Sequence, residues 1–223
     1  MTPVPAAASS APRRGRGRPS SPVLTADGIT AGAVALLEER GQDGLTMAAL
    51  ARRLGVAPSA LYNHVATKQD VLRAVQDDVN RGIDCSGFGR DPWEEALAAW
   101  ARSYRDAYAR HPALVPVMAV TPVGSAPHTV AMYERVSSGL LSAGWPPHLV
   151  TNVVVAVESF VLGSALDTQA PADIFDPGDL AATAPGVTTA NAARPEGDTA
   201  RAAFELGLAA LLAGLRDLLA SAS

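Results

Sequence analysis

The most informative part of the chain reads Thr46-Met-Ala-Ala-Leu-Ala-Arg-Arg-Leu-Gly-Val-Ala-Pro-Ser-Ala-Leu-Tyr-Asn-His-Val65. Thr46 is a good N-cap for a short helix, because its hydroxyl can accept a hydrogen bond from a free backbone N–H. Leu50 and Leu54 are four residues apart and share the inward face of that helix. Gly55 suits the end of the helix, where a left-handed residue without a Cβ is favoured. The first half of the stretch therefore predicts a short helix and a tight turn.

A second short helix is predicted after the turn. Pro58 lies near its first turn, where a missing backbone N–H has no energetic cost. Leu61 and Val65, again four residues apart, attach this helix to the core. Two short helices joined by a glycine turn predict a helix-turn-helix over roughly residues 46 to 64. An ordinary helical hairpin with a solvated polar face is the alternative.

The second helix leaves a polar surface that suits the major groove of DNA. Asn63 can pair with an adenine edge, Ser59 with a base or a phosphate, and Ala60 can touch a thymine methyl group. Tyr62 and His64 are placed for phosphate and sugar contacts, as is the lysine at the start of the next helix. The predicted DNA-binding residues of this unit are Thr46, Pro58, Ser59, Ala60, Tyr62, Asn63, His64 and Lys68.

Charge is distributed unevenly along the chain, whose net charge is −4. Residues 1–68 carry eight Lys and Arg against four Asp and Glu, a balance of +4. Residues 69–223 carry ten against eighteen, a balance of −8. A basic front on an acidic body suggests that one end meets phosphates, although solvated surfaces also vary by a few charges.

The N-terminal arm, residues 1–22, is rich in Pro, Ala, Ser and Gly and is predicted to be disordered in the free protein. The Gly-Arg-Pro core within Arg13–Pro19 is typical of an extended arm in an A·T-rich minor groove. Arg14, Arg16 and Arg18 are therefore candidate DNA contacts. A basic tail that adds salt-dependent affinity without sequence preference is the favoured alternative.

The rest of the chain predicts helices, because no stretch shows the sustained alternation of strands, and the predicted fold class is all-α. A DNA-binding domain is expected at residues 23–68 and a larger helical body at residues 69–223. Asp91 is a candidate helix cap, and long helices are predicted at about residues 147–169 and 198–220. Residues 171–198 are expected to form a long loop. The prolines expected to break the middle of the chain into short pieces are Pro112, Pro116, Pro122 and Pro127.

Features of secreted, membrane and enzymatic proteins are missing from the sequence. Cys85 is the only cysteine, so an internal disulfide or a thiolate zinc cluster is excluded. The longest apolar runs, such as Val153–Val157, are far shorter than the ~20 residues that cross a bilayer, and no signal peptide is expected. There is no glycine-rich phosphate loop, no Gly-x-Ser-x-Gly elbow and no histidine pair with metal spacing. A cytoplasmic protein without enzymatic activity, metal or cofactor is predicted.

The residues from Leu45-Thr46 to Leu-Tyr-Asn-His-Val-x-x-Lys68 resemble the DNA-binding domain of TetR-type transcriptional repressors. The stretch Phe160-Val-Leu-Gly-Ser-Ala-Leu-Asp-Thr-Gln169 is more loosely similar to the ligand-binding domain of the tetracycline repressors in that family. The resemblance implies three N-terminal helices and a linking helix near Lys68–Arg81. It also implies that residues 69–223 form a larger helical domain for ligand binding and dimerisation.

A dimer is expected, because half-sites read by a helix-turn-helix are usually paired about 34–36 Å apart. The last helix carries a stripe of large apolar residues with spacings of four and three. The candidate dimer residues are Phe204, Gly207, Leu208, Leu211, Leu215 and Leu218. Core packing within one subunit is the alternative for part of this face, and the resemblance implies a four-helix interface with the helix at 147–169.

Aromatic residues with a few polar groups are the usual lining of a small-molecule pocket. The candidate pocket residues are Trp100, Tyr104, Tyr108, His111, Met118, Thr121, Trp145, Glu158 and Phe160. Each of them can equally be a core residue. Met118 stands where the resemblance to the tetracycline repressors implies a metal-binding histidine, whereas Thr121 keeps its match. A magnesium-chelated tetracycline is therefore not expected as the inducer.

Together these features predict a homodimer that binds a palindromic operator in double-stranded DNA and represses transcription. An unknown small-molecule effector is expected to release it. The alternative is a ligand-independent repressor or an activator whose body serves for dimerisation alone. A membrane partner is not expected.

Overall fold

Helices make up the regular structure in this computed structural model, which describes residues 24–194 and 197–222. The N-terminal helices are Ala26–Gly44 (α1), Met47–Arg53 (α2), Pro58–Tyr62 (α3) and Lys68–Asn80 (α4). The body consists of Trp93–Ala109 (α5), Val115–Met118 (α6), Pro127–Ser142 (α7), Pro147–Asp167 (α8), Pro185–Ala192 (α9) and Thr199–Ala222 (α10), with 3-10 helices at Pro112–Leu114 and Gly178–Thr183. The described residues contain no strand, and the predicted all-α class is confirmed.

Short-range signals set the limits of the first two helices. The hydroxyls of Thr25 and Thr46 accept the backbone N–H groups of Gly28 and Ala49 at 3.1 and 3.0 Å, so they cap α1 and α2. Gly55 has a φ of 68°, the left-handed conformation that glycine adopts without strain. The structure therefore contains the short helix and the glycine turn that the sequence predicts here.

α4 joins the helix-turn-helix to the body. Its start is fixed by a capping box, in which Thr67 Oγ1 accepts the Asp70 N–H at 3.2 Å and Asp70 Oδ2 accepts the Thr67 N–H at 2.9 Å. Lys68 Nζ donates to the carbonyl oxygen of Gln42 at 2.9 Å, which attaches the start of α4 to the end of α1. α4 corresponds to the linking helix that the resemblance implies.

The core of the body lies between α5 and α8. α5 packs against α8 and α10, and α7 packs against α4 and α8. Leu97 and Trp100 of α5 and Val157 and Val161 of α8 are fully buried, and removing such apolar surface from water is the main favourable contribution to folding. α8 is also the one described helix long and apolar enough to cross a membrane by length and composition, and 33% of its most apolar window is buried in the structure. It packs against α5, α7 and α10.

Two prolines begin long helices in the body. Pro127 occupies the first position of α7, a helix of 16 residues, and Pro147 the first position of α8. A proline at the first position lacks an N–H that would have no intrahelical partner in any case. The prediction that prolines break the middle of the chain into short pieces is therefore wrong for residues 127–142.

Two other predicted features differ from the structure. α5 begins at Trp93 with Pro92 as its N-cap, so the prediction of Asp91 as the cap is wrong. The long loop predicted at residues 171–198 contains the second 3-10 helix and α9, neither of which buries a residue. The prolines of this segment suggested a loop, but its alanines favour helix between them. Residues 195 and 196 lie outside the described ranges.

Candidate DNA interface and ligand-binding core

α3 presents a polar surface because a single leucine anchors it from beneath. Leu61 is fully buried, whereas Tyr62 is 52% exposed. α3 ends at Tyr62, so Asn63 and His64 directly follow its last turn. Of the predicted contact residues in this segment, Ala60 is half-buried, and those exposed to solvent are Pro58, Ser59, Tyr62, Asn63 and His64. The predicted base-reading and phosphate-reading side chains therefore share one accessible surface.

Two other predicted DNA contacts also stabilise the fold. The Thr46 hydroxyl caps α2 as an acceptor, which leaves its own proton free to donate to a phosphate. The Lys68 ammonium uses one of its three donors on the Gln42 carbonyl, and two remain. Both side chains can thus contact phosphate while keeping their structural hydrogen bonds. The candidate arm contacts Arg14, Arg16 and Arg18 lie outside the described residues, and their role stays a prediction.

Three aromatic rings of α5 form a continuous column in the body. The ring centroids of Trp100 and Tyr104 are 5.4 Å apart, and those of Tyr104 and Tyr108 are 5.1 Å apart. All three side chains are buried. Within the described part of the chain, the indole N–H of Trp100 has no hydrogen-bond partner. We call Trp100, Tyr104 and Tyr108 the aromatic column.

Glu158 of α8 brings a carboxyl group to the aromatic column. Tyr133 of α7 donates its hydroxyl hydrogen bond to Glu158 Oε1. Burial raises the pKa of the Glu158 carboxyl, although hydrogen bonds from Tyr133 and Tyr104 act in the opposite direction. Burial also raises the pKa of Tyr104 and, together with the nearby Glu158, that of Tyr108. The cluster is therefore a polar site in apolar surroundings, and Tyr133 is a member that the sequence did not identify.

A groove of about 370 Å³ opens between α6 and α8, and Glu158 is one of the residues that line it. The other lining residues are apolar or small: Val115, Pro116, Ala119, Val155, Ser159, Leu162, Gly163 and Leu166. Small-molecule sites are commonly of about this size, with mostly apolar walls and a few polar groups. Within one subunit, the groove therefore leaves Glu158 within reach of solvent.

α4 is hydrogen bonded to the body by polar side chains on its inward face. Gln76 Nε2 donates to the carbonyl oxygens of Met118 and Thr121 at 3.4 and 3.3 Å. Asn80 Oδ1 accepts the hydroxyl of Tyr108 at 2.9 Å. These two α4 residues were not predicted, but their spacing of four is a signal that both share one helix face. The helix that follows the DNA-reading unit therefore contacts three of the predicted pocket residues.

The predicted pocket residues His111 and Trp145 contact residues that do not belong to the aromatic column. His111 Nδ1 lies 2.6 Å from Glu38 Oε1 on α1, so His111 connects the body to the DNA-binding unit. Trp145 packs edge-on against Trp93 at the start of α5, with ring centroids 5.3 Å apart. Among the described residues, no group of three or more His, Cys, Asp or Glu side chains could hold a metal ion.

The last helix turns its largest side chains into its own subunit. Phe204, Leu208 and Leu215 are buried, and the predicted pocket residue Phe160 stacks on Phe204 with centroids 5.4 Å apart. A Cβ on Gly207 would lie 2.6 Å from the Phe160 ring, so glycine allows this close contact. Phe204, Leu208 and Leu215 were predicted to lie in the dimer interface. That prediction is wrong for these three residues, because they pack into the core of their own subunit.

An exposed small-and-apolar face lies beside this buried stripe on α10. Leu206 is 75% exposed, and Ala210, Gly214 and Leu218 follow it at intervals of four. Four exposed residues of α8 extend it: Val155, Ser159, Gly163 and Leu166. We call these eight residues the α8–α10 face. Apolar and small residues exposed along one face of each of two packed helices are typical of an interaction site.

The structure thus combines an exposed helix-turn-helix, a linking helix and a helical body with an aromatic core, which defines a helix-turn-helix transcriptional regulator. Residues 29–75 match the family model "Bacterial regulatory proteins, tetR family". Residues 88–219 match the model "Tetracyclin repressor-like, C-terminal domain". The chain belongs to the TetR family, as its sequence resemblance predicted.

Individual relatives cover different shares of the chain. The tetracycline repressor protein class A from transposon 1721 of Escherichia coli is 32% identical over 188 residues, which are 82% of this chain and 86% of that repressor. The HTH-type transcriptional repressor DrrR1 of Streptomyces coeruleorubidus is 30% identical over 152 residues, 66% of this chain, and the chain spans 56% of that relative's length. The solved structure of the Streptomyces coelicolor TetR family protein ActR in complex with actinorhodin has a TM-score of 0.69 at 26% identity, covering 87% of this chain and 96% of ActR.

Proposed function

We propose that the chain is a cytoplasmic transcriptional repressor, which binds a palindromic operator as a homodimer and releases it when a small molecule binds the helical body. The observation that carries this proposal is the α3 surface, where Leu61 is buried and the polar side chains Ser59, Asn63 and His64 face solvent. A recognition helix reads base edges in the major groove with such a surface.

The α8–α10 face supports the dimer. A palindromic operator presents two half-sites about 34–36 Å apart, so both can be read only by two copies of α3 held at a fixed distance. Pairing two α8–α10 faces covers Leu206 and Val155, which one subunit leaves exposed to water. The small residues Ser159, Gly163, Ala210 and Gly214 allow the helices of the two subunits to approach closely.

The hydrogen bonds of α4 support release by a ligand. Gln76 and Asn80 attach α4 to residues beside the aromatic column, and Lys68 attaches it to α1. A ligand that moves α6 or α5 therefore displaces the helix that positions α3. The ligand changes operator affinity only if it binds one spacing of the two α3 helices better than the other, and coupling of about 1–3 kcal/mol per site is typical.

Selection of bound sites from random DNA, repeated with a panel of metabolites, tests this proposal. We expect one palindromic sequence to be enriched, and at least one metabolite to lower its affinity at fixed salt. Enrichment of a single half-site would contradict the dimer. An operator affinity that no metabolite changes would contradict ligand release and would favour a ligand-independent regulator.

Asn63→Ala is expected to relax base preference at one position of each half-site and to weaken operator binding by about 1–3 kcal/mol per contact. The reason is that an asparagine amide can make two hydrogen bonds to an adenine edge, whereas alanine makes none. Titrations of operator and random DNA at equal salt measure the effect, and the affinity for random DNA should stay unchanged. Equal losses on both DNAs would show that Asn63 does not read a base.

Lys68→Ala provides the contrasting variant. It removes a phosphate contact, so it should weaken operator and random DNA alike and reduce the salt slope by about one. Because Lys68 also donates to Gln42, circular dichroism must first show that the variant is folded. A loss confined to the operator would contradict the phosphate role.

A further inference from the structure

A cleft of about 450 Å³ lies where the N-terminal unit meets the body, between α1, α4 and α5. It is open because small side chains line it, those of Ala31 and Ala35 on α1 and of Ala107 on α5. Val34 and Val79, both half-buried, add apolar wall. Small-molecule sites commonly have about this size and mostly apolar walls. No residue of the aromatic column, of α3 or of the α8–α10 face lines this cleft, which we call the junction cleft.

The two carboxylates that line the junction cleft already have hydrogen-bond donors. Glu38 Oε1 lies 2.6 Å from His111 Nδ1, and Asp78 Oδ1 lies 2.8 Å from Arg81 Nη2. Since an ionised carboxylate only accepts hydrogen bonds, the ring nitrogen of His111 is the donor in the first pair. A ligand that brought another cation would therefore compete with donors that are already in place.

Arg110, which also lines the junction cleft, makes no ion pair within residues 24–194 and 197–222. It is the C-cap of α5, and it is exposed. Its planar guanidinium presents N–H donors in a fork that matches the two oxygens of a carboxylate. The cleft thus combines apolar walls with one cation that is available to an acid.

We propose that the junction cleft is a second regulatory site, which binds a small apolar molecule carrying one carboxylate. The carboxylate accepts hydrogen bonds from Arg110, and the apolar part of the molecule lies against Val34 and Val79. An apolar amine would instead place a like charge beside Arg110. This inference goes beyond release by a ligand in the body, because α1 of the N-terminal unit forms part of the site.

The position of the cleft gives such a ligand control over the recognition helix. α1 packs against α2, and α2 packs against α3. A ligand that fills the cleft contacts α1 and α5 together, so it favours one position of the N-terminal unit relative to the body. Because two α3 helices must match the spacing of paired half-sites, a change in that position changes operator affinity.

Two matched series of probes test the charge preference on the full chain without DNA. The aromatic series is 1-naphthylacetate, 2-(1-naphthyl)ethanol and 2-(1-naphthyl)ethylamine, and the aliphatic series is octanoate, 1-octanol and octylamine. In equilibrium dialysis we expect the acid of the better-fitting series to bind about fivefold more tightly than its alcohol, which is the upper end for a pair of exposed charges. The proposal is overturned if in neither series the acid binds more tightly than both other members.

Arg110→Gln tests whether this guanidinium provides the preference. Glutamine keeps a polar side chain without the charge, so acid affinity should fall about fivefold while alcohol affinity stays within about twofold. The matched control is Arg90→Gln, because Arg90 is an exposed arginine that lies in the turn before α5 and does not line the cleft. A folded Arg110→Gln variant that keeps the full preference for the acid overturns the assignment.

Ala31→Phe tests whether the probes bind in the cleft itself. Ala31 is exposed on α1, so a larger ring can enter the cleft without displacing a core residue. We expect the acid and the alcohol to lose affinity together, by at least about tenfold. The control is Ala26→Phe, since Ala26 is exposed on α1 outside the cleft, and circular dichroism shows that both variants are folded. Unchanged probe binding by Ala31→Phe would place the site elsewhere and overturn the proposal.

Operator titration tests the regulatory role. With saturating acid we expect the operator affinity of the wild type to change at least about fivefold, and that of Arg110→Gln to change less at the same acid concentration. An acid that occupies the cleft and leaves operator affinity unchanged would overturn the regulatory role. A metabolite that acts equally on the wild type and on Ala31→Phe acts through the body instead, so failure of this inference is distinguishable from failure of the proposed function.

Discussion

Leu61→Ala is expected to lower the free energy of unfolding of the helix-turn-helix by about 2–5 kcal/mol, because it removes a buried side chain and leaves a cavity. Leu61 is the only residue of α3 that is buried, so no other side chain of that helix replaces its contact with the core. The recognition helix should detach from α2, and operator affinity should fall in parallel. Urea unfolding followed by circular dichroism, together with operator titration, measures both effects.

Val120→Ala is the matched control for this truncation. Val120 is also a branched apolar residue, but it follows α6 and is 74% exposed. Its replacement should change the free energy of unfolding by less than about 0.5 kcal/mol and leave operator affinity unchanged. A Leu61→Ala variant as stable as the Val120→Ala variant would contradict the anchoring role of Leu61.

Leu206→Glu is expected to separate the proposed dimer into monomers and to weaken operator binding by at least about 100-fold. Leu206 is the most exposed large apolar residue among the described ones, and it lies on the α8–α10 face. A glutamate there is fully solvated in the monomer, but dimerisation would bury it without a partner. A monomer can contact only one half-site, so operator affinity and dimer formation should be lost together.

Sedimentation equilibrium and operator titration at the same protein concentrations measure this effect. Val130→Glu is the control, because Val130 is 47% exposed on α7 and lies outside the α8–α10 face. The control should sediment as a dimer and bind the operator normally. A Leu206→Glu protein that remains dimeric would place the interface elsewhere on the surface.

The N-terminal unit could be predicted in detail because its signals are local. Thr46 caps α2 three residues away, and Gly55 takes the left-handed conformation within the turn itself. Leu61 could be placed beneath α3 because helical periodicity alone defines the buried side of a short helix. None of these inferences requires knowledge of a contact between distant parts of the chain.

The body was less predictable, because the ends of its helices and the partners of its apolar faces depend on tertiary structure. Pro127 can either interrupt or begin a helix, and the sequence does not say which; the structure places it at the first position of α7, where its lack of an N–H leaves no hydrogen bond unmade. The stripe of Phe204 and Leu208 was identified correctly as apolar, but periodicity does not tell whether an apolar stripe packs against its own subunit or another. The stacking of Phe160 on Phe204 resolves this for α10, and leaves the neighbouring stripe through Leu206 exposed.

The Glu158 cluster shows the limit of the sequence in the candidate ligand site. Glu158 was predicted as one of the few polar groups among the candidate pocket residues. Its hydrogen-bond donor Tyr133 is 25 residues earlier on another helix. The two meet only because α7 crosses α8 at this level, and a crossing point is not encoded in either helix alone.

The contacts of α4 have a consequence for how such regulators diversify by recombination. On the side of α4 that faces the body, Asn80 is hydrogen bonded to the side chain of Tyr108, and Asp77 to that of His128. Towards the N-terminal unit, Lys68 uses a backbone carbonyl, an acceptor that is present whatever residue occupies the position.

A crossover between two parental genes in the turn before Thr67 would therefore take Asn80 and Asp77 from the same parent as their partners Tyr108 and His128. A crossover between Arg81 and Pro92 would separate them. The exposed pair of Glu38 and His111 would be divided in either case, but exposed ion pairs contribute at most about 1 kcal/mol. The unit that can be exchanged is thus the N-terminal head that ends before Thr67, and α4 is inherited with the body to which its side chains are hydrogen bonded.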